Sequence, residues 1–200
     1  MSVESVEMSA PAAQRTALAL KEWGAVAHAL LAGRQTILLR KGGIHEKRFE
    51  VDHDRFVLFP TVAHSHAGRV RPEHADLLAP GAADVDADAG TFVVRCGVVL
   101  HDLVAVARPE GLPEIADLHI WTTQSIVADR LEFRPRVPLQ VLVVRAFALP
   151  QPVELPRVPA YGGCTSWVDL PLAWDADEQR RVHDDARLGA DAARVRTALA

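Results

Sequence analysis

Along the first third of the chain the apolar positions change period. Trp23, Val26, Ala27, Leu30 and Leu31 fall at i, i+3, i+4, i+7 and i+8, the stripe of an amphipathic helix that starts near Thr16. Gly33 stands where that helix should stop, because glycine takes up the left-handed backbone of a helix end without a Cβ clash. Residues 36–40 are then β-rich and break at Lys41-Gly42-Gly43, and residues 49–51 and 56–59 follow around a polar turn. This pattern predicts a meander of antiparallel strands ended by Pro60-Thr61.

Pro72 opens a short helix that breaks at Pro80-Gly81, since its missing N–H would be unpaired at a first helical position anyway. Residues 91–107 form a long β-branched stretch interrupted at Gly97 and His101-Asp102, which predicts one bent strand or two strands meeting at a bulge. Short helices are expected over 112–133, a strand buried on both faces over 139–149, and an extended edge through the prolines of 150–159. A last strand falls at 165–170. Asp175 and Glu178 have capping-box spacing and open a C-terminal helix, alanine-rich and loosely anchored by Val182, Leu188, Val195 and Leu199.

The fold class that follows is α+β: a mostly antiparallel sheet or small open β-barrel with an N-terminal amphipathic helix and a C-terminal helix. The expected organisation is a flexible leader over 1–15, a single domain over 16–172 and a helical extension over 173–200.

Composition narrows this picture little. A chain of 200 residues, 49% hydrophobic and 24% charged, can fold without a disulfide or metal staple. No apolar run is long enough for a membrane span, and the first residues lack the basic and apolar blocks of a signal peptide. The cytoplasm is therefore the expected compartment, with Cys96 and Cys164 as thiols. A net charge of −4 argues against a protein that coats nucleic acid through its overall field, which leaves a local basic face.

Candidate chemistry gathers around Arg40. A strand delivers Arg40 and Lys41 into the Gly42-Gly43 turn, whose backbone amides could approach a phosphate closely; the competing reading is a tight hairpin flanked by solvated charges. His45, His53, His64 and His66 crowd one quarter of the chain, and His64-Ser65-His66, if extended, puts both rings on one face. Without a cysteine pair or a helical His-x-x-x-His frame, surface or hydrogen-bonding histidines are the preferred reading, and no metal or cofactor is assigned.

Asp84-x-Asp86-x-Asp88 begins like a calcium loop, but Ala89 and Arg95 stand where glycine and a bidentate glutamate are needed, so it reads as a mobile acidic loop. Glu46-Lys47-Arg48 misses the Glu-x-Lys spacing of a Mg²⁺ nuclease. Cys164, after Tyr161-Gly162-Gly163, is either a nucleophile or an inert thiol, and Trp121 and Trp167 either stack on a base or belong to the core. Arg130, Arg134 and Arg136 extend a basic face if the fold brings them beside Arg40.

Four segments resemble one known family, in order: Ala19-Leu20-Lys21-Glu22-Trp23; Leu38-Leu39-Arg40-Lys41-Gly42-Gly43-Ile44-x-Glu46; Phe56-x-Leu58-Phe59-Pro60-Thr61-x-x-His64; and Tyr161-x-Gly163-Cys164-x-Ser166-Trp167-Val168-x-Leu170. They look like the prokaryotic family catalogued as domain of unknown function 1802, over roughly residues 18–170. His66 departs from the glutamine more usual near that histidine.

The resemblance implies no assigned activity. It implies a link to restriction-modification systems, since some members resemble parts of such systems joined to a nuclease domain of the Mrr type. Modification-dependent systems pair a nuclease with a small β-barrel that reads a base, which suggests by analogy a PUA- or ASCH-like nucleic-acid-binding module. In that reading Arg40, Lys41, Gly42 and Gly43 hold phosphate, Glu46, His64 and Arg130 surround them, and Trp167 or Trp121 stacks. The expected partners are DNA or RNA and a nuclease protein. Replacing Arg40 and Lys41 by alanine is then expected to weaken binding with little change in the unfolding midpoint. One alternative is a metal-dependent nuclease or phosphodiesterase with Glu46, Glu50 and His64 on the ion and Lys41 on the phosphate. Another is a non-catalytic domain whose apolar faces dock a partner.

Overall fold

The computed structural model describes residues 16–42, 49–51, 53–62 and 67–200. The N-terminal segment departs from the expected helix. Ala17–Trp23 is a strand, β1, and the helix α1 covers only Gly24–Leu31. The reason lies in partners remote in sequence: β1 is paired on both edges, parallel to β3 (Arg55–Thr61) and antiparallel to β7 (Trp167–Leu170). Its two faces feed two cores, with Ala17 and Ala19 in a smaller cluster with Val57, Phe59 and Phe92, and Leu20 in the main one. The stripe Val26, Ala27 and Leu30 is buried as expected, and Gly33 closes the helix at φ 72°.

The expected meander is also rearranged. β2 (Ile37–Arg40) does not pair with β3; it pairs with β6 (Gln140–Pro156), while β3 pairs with β5 (Thr91–Ala105). Residues 49–51 lie outside any strand. The sheet order is β2-β6-β5-β3-β1-β7, with the two-residue strands β4 (Val85–Asp86) and β8 (Arg180–Arg181) attached to β5 and β6. All described pairings except β1 with β3 are antiparallel, and the sheet curls into a half-barrel.

The long β5 stretch carries register shifts at Val94/Cys96 and Leu100/Asp102, the second at the interruption seen in the sequence. β6 continues through the prolines rather than becoming a separate edge. Pro150 and Pro152 fall in the irregularity opposite Val94/Cys96, between the pairs Cys96↔Ala148 and Val94↔Val153, where a missing N–H removes no ladder bond.

Pro80 and Gly81 do not break a helix: a 3₁₀ turn, Pro72–Leu77, runs straight into α2 (Leu78–Ala83). The acidic segment after it is not a free loop either. Asp84 is buried, 2.8 Å from His28 Nε2 and 2.5 Å from Arg95 Nε.

The C-terminal helix α4 covers Asp185–Leu199 and is capped by Asp184, whose side chain accepts from the Arg187 amide at 2.8 Å. Asp175 caps only a 3₁₀ turn, Ala176–Glu178. Nor is α4 loose: Leu188, Ala192, Val195, Ala198 and Leu199 enter the main core. Buried Asp191 pins the helix by accepting from Thr36 Oγ1 at 2.9 Å and Arg187 Nε at 2.8 Å. Alanine lets backbone approach backbone here; a Cβ on Gly111 would stand 2.0 Å from the Ala198 carbonyl oxygen. No helix among the described residues is long and apolar enough to cross a membrane.

A buried cationic cluster as candidate functional site

Strand alternation in β1 sends Leu20 into the main core and Glu22 after it, so that a carboxylate ends up 3% exposed. Such burial is tolerable only with partners. Glu22 Oε1 accepts from the Trp23 amide at 2.9 Å, and Oε2 accepts from Arg40 Nη1 at 3.2 Å. Arg40 arrives at the end of β2 with its side chain 14% exposed and its guanidinium 5.4 Å above the Phe49 ring. Phe49 stacks on Trp167 with centroids 5.6 Å apart, and Trp167 Nε1 donates to the Glu50 carbonyl at 3.2 Å.

Lys41, 7% exposed, turns the other way. Its Nζ donates to the carbonyls of Arg130 at 2.5 Å and Leu131 at 3.4 Å. Those carbonyls belong to a π-helical turn, Val127–Glu132, continuous with the short helix α3 (Thr123–Ile126). Such wide turns are rare and recur at functional sites. Burial, then Arg134 and Arg130, pulls the Lys41 ammonium below its ordinary range. Burial also works against the charge on Arg130, where Glu22 opposes the shift and Arg40 adds to it. Arg69 grips Asp129 through Nε at 2.5 Å and Nη2 at 3.2 Å. Trp23 and Trp121 meet edge to face at 4.6 Å and wall the cluster.

The structure thus brings Arg40, Lys41 and Arg130 together and corrects their expected exposure: all three are engaged inside the fold, not solvated around a hairpin. Gly42 follows with φ 81°, the left-handed backbone expected of the turn. Trp167 stands behind Phe49, and Trp121 is buried. Gly43, Glu46 and His64 lie outside the described residues, as do His45 and His66. Glu50 and His53 are exposed, and among the described residues no three His, Cys, Asp or Glu side chains are grouped to hold a metal ion. Cys96 is buried, its thiol pushed up to about 12 by burial, while Cys164 is exposed. Glu22, Arg69 and Asp129 were not singled out by the sequence. Glu22 has a signal only once β1 is read as a strand, in the alternation Leu18, Leu20, Glu22.

Beside the cluster, His119 is 1% exposed and its Nδ1 accepts from the Trp121 amide at 3.1 Å. Burial, aided by Arg71, pushes the imidazole down to about 3. Between that value and the ordinary value of about 6.5 the unfolded chain binds a proton that the folded chain refuses, so stability falls as pH drops through 6.5. Lowering pH from 7 to 5 should therefore remove about 2 kcal/mol of unfolding free energy through this residue. In urea titrations at the two pH values, His119→Asn, which keeps an acceptor for Trp121, should flatten the dependence. An unchanged slope would mean that His119 titrates normally.

An α+β half-barrel holding a buried cationic cluster at the end of β1 is the class that these features define. The sequence model of the family described as a domain of unknown function (DUF1802) matches residues 19–194. The chain belongs to that family. No curated protein and no solved structure matches it significantly.

Proposed function

We propose that this domain binds nucleic acid through its phosphates, using the cluster of Arg40, Lys41 and Arg130. The observation that carries the reading is an imbalance of charge. Among the described residues Arg40 is paired with Glu22 and Arg69 with Asp129, so Lys41 and Arg130 stand in the cluster with main-chain carbonyls and no ion-pair partner of their own. Arg40 Nε is buried without a partner among the described residues. A surplus of partly desolvated cations favours a phosphate anion, since low local polarity strengthens the attraction.

The cavity described beside the cluster is too small to receive a flipped base. The cavity bordered by Trp23, Trp121, Asp129 and Arg130 has about 10 Å³, room for a single water. In the restriction-modification setting that the family resemblance implies, the bound duplex would be passed to a nuclease partner.

The internal bonds of Arg40 and Lys41 change the choice of variant, because alanine at either position would also loosen the fold. Arg130→Gln leaves the carbonyl that holds Lys41 in place, and Arg134→Asn suits the φ of 52° at that position. Fluorescence anisotropy with a DNA duplex should show wild-type binding at about 50 mM salt that weakens steeply toward about 200 mM. Each variant should weaken binding and reduce the salt slope by about 1. No wild-type binding at the lower salt, or variants that bind like wild type, would overturn the reading.

A further inference from the structure

A cavity of about 430 Å³ stands apart from the cationic cluster, none of whose residues lines it. Its size is that of a pocket for a small organic molecule. The sheet makes room for it at one irregularity. In β6, residues 149–152 stand opposite the single residue Arg95, between the pairs Cys96↔Ala148 and Val94↔Val153, so this segment leaves the ladder. β8 holds β6 only at Phe147 and Ala148, and residues 173–179, which lead into β8, face the displaced segment across the cavity. Leu149, Gln151 and Val153 form one wall; Trp174, Asp175 and Gln179 form the other.

The wall is more polar than apolar, and its charge is one-sided. No lysine or arginine lines it among the described residues, whereas Asp175 does, with an exposed side chain. Asp175 Oδ1 accepts from the Asp177 amide at 3.0 Å and lies 3.5 Å from Arg55 Nη1; Oδ2 takes no bond among the described residues. Arg55 Nη1 is also 3.4 Å from Asp177, so one cation answers two carboxylates. The apolar share comes from Leu149, Val153 and Trp174. The Trp174 indole is laid on the sheet where Gly97 has no side chain, since a Cβ there would stand 2.2 Å from Cε2, and Phe147 meets it edge-on at 6.1 Å. An anion finds no partner on such a wall and meets the field of Asp175. A cation gains a charge-assisted hydrogen bond to a carboxylate, and indole is the side chain that attracts cations best.

We propose that this cavity binds a small organic cation, a primary ammonium whose N–H groups donate to Asp175 Oδ2 while its apolar body rests against Leu149, Val153 and Trp174. The site is independent of the phosphate reading, which uses other residues and a ligand of opposite charge.

Titrating the full-length protein with benzylammonium and with benzyl alcohol, an uncharged molecule of nearly the same shape, separates charge from simple filling of space. Benzylammonium should bind at least about tenfold more tightly, the effect of one charge-assisted hydrogen bond, and should shift the side-chain amide resonances of Gln151 and Gln179 in ¹H–¹⁵N NMR. Asp175→Asn keeps a cap for the Asp177 amide and removes the charge, so it should bring benzylammonium down to the affinity of benzyl alcohol and leave benzyl alcohol unchanged. Equal affinity of the wild type for the two probes, undiminished benzylammonium binding by Asp175→Asn, shifts that bypass Gln151 and Gln179, or no binding of benzylammonium at about 20 mM would overturn the proposal. The wild-type results decide the matter even if Asp175→Asn folds poorly.

Discussion

Glu22→Gln should lower the free energy of unfolding by about 3–5 kcal/mol, because it strands buried Arg40 beside Arg130 with its countercharge removed. The glutamine oxygen can still accept from the Trp23 amide, so the loss isolates charge rather than shape. A buried ion pair is not in itself strongly stabilising, since desolvating both ions offsets much of their attraction. The asymmetry appears when one member is removed alone. In urea unfolding, the double variant Glu22→Gln with Arg40→Gln should therefore lose less than the sum of the single variants, by about 1 kcal/mol or more. A single-variant loss below about 1 kcal/mol, the range of exposed pairs, would mean that the cluster is solvated and that its surplus cations are not desolvated.

That carboxylate also shows where sequence reading stopped. Treating residues 16–31 as one helix puts Glu22 at the solvated margin of the apolar stripe. Ala, Leu, Lys and Glu are all good helix formers, and nothing local distinguishes β1 from the helix that follows it. β1 is a strand because β3 and β7 bond both its edges, with Ala19↔Val57 and Leu18↔Asp169 in register, and neither pairing has a local signature. Features set by nearby residues were legible: the stripe of α1 with Gly33 as its stop, the irregular β5, and the buried first half of β6. The same division holds at the site. Arg40, Lys41 and Gly42 stood out as a strand running into a turn, whereas their burial depends on Glu22 and on a π-helical turn far along the chain. Asp84 repeats the lesson. It read as part of a mobile acidic loop, yet His28 and Arg95 hold it in the interior.

Gly24→Ala should remove about 2–3 kcal/mol, although alanine is the better helix former by about 1 kcal/mol. A Cβ on Gly24 would stand 2.1 Å from the Gly81 carbonyl oxygen, and one on Gly81 would stand 2.3 Å from the Ala25 nitrogen. These are backbone atoms, so no rotamer change relieves the overlap, and α1 must draw away from α2 against the anchoring of Val26 and Leu30 in the main core. Overpacking of this kind lies at the upper end of its usual range, outweighing the gain in helix propensity. Gly189→Ala in α4 supplies the control: nothing lies within 4 Å of the added carbon, so the same substitution should stabilise by roughly 0.5–1 kcal/mol. Denaturant midpoints should therefore move in opposite directions for one chemical change, and equal shifts would refute the close crossing of α1 and α2. Trp23 is both the residue that caps α1 and the amide donor to Glu22, so displacing α1 reaches the cationic cluster. The Trp23–Trp121 contact should register it as a change in tryptophan fluorescence in Gly24→Ala that is missing from Gly189→Ala.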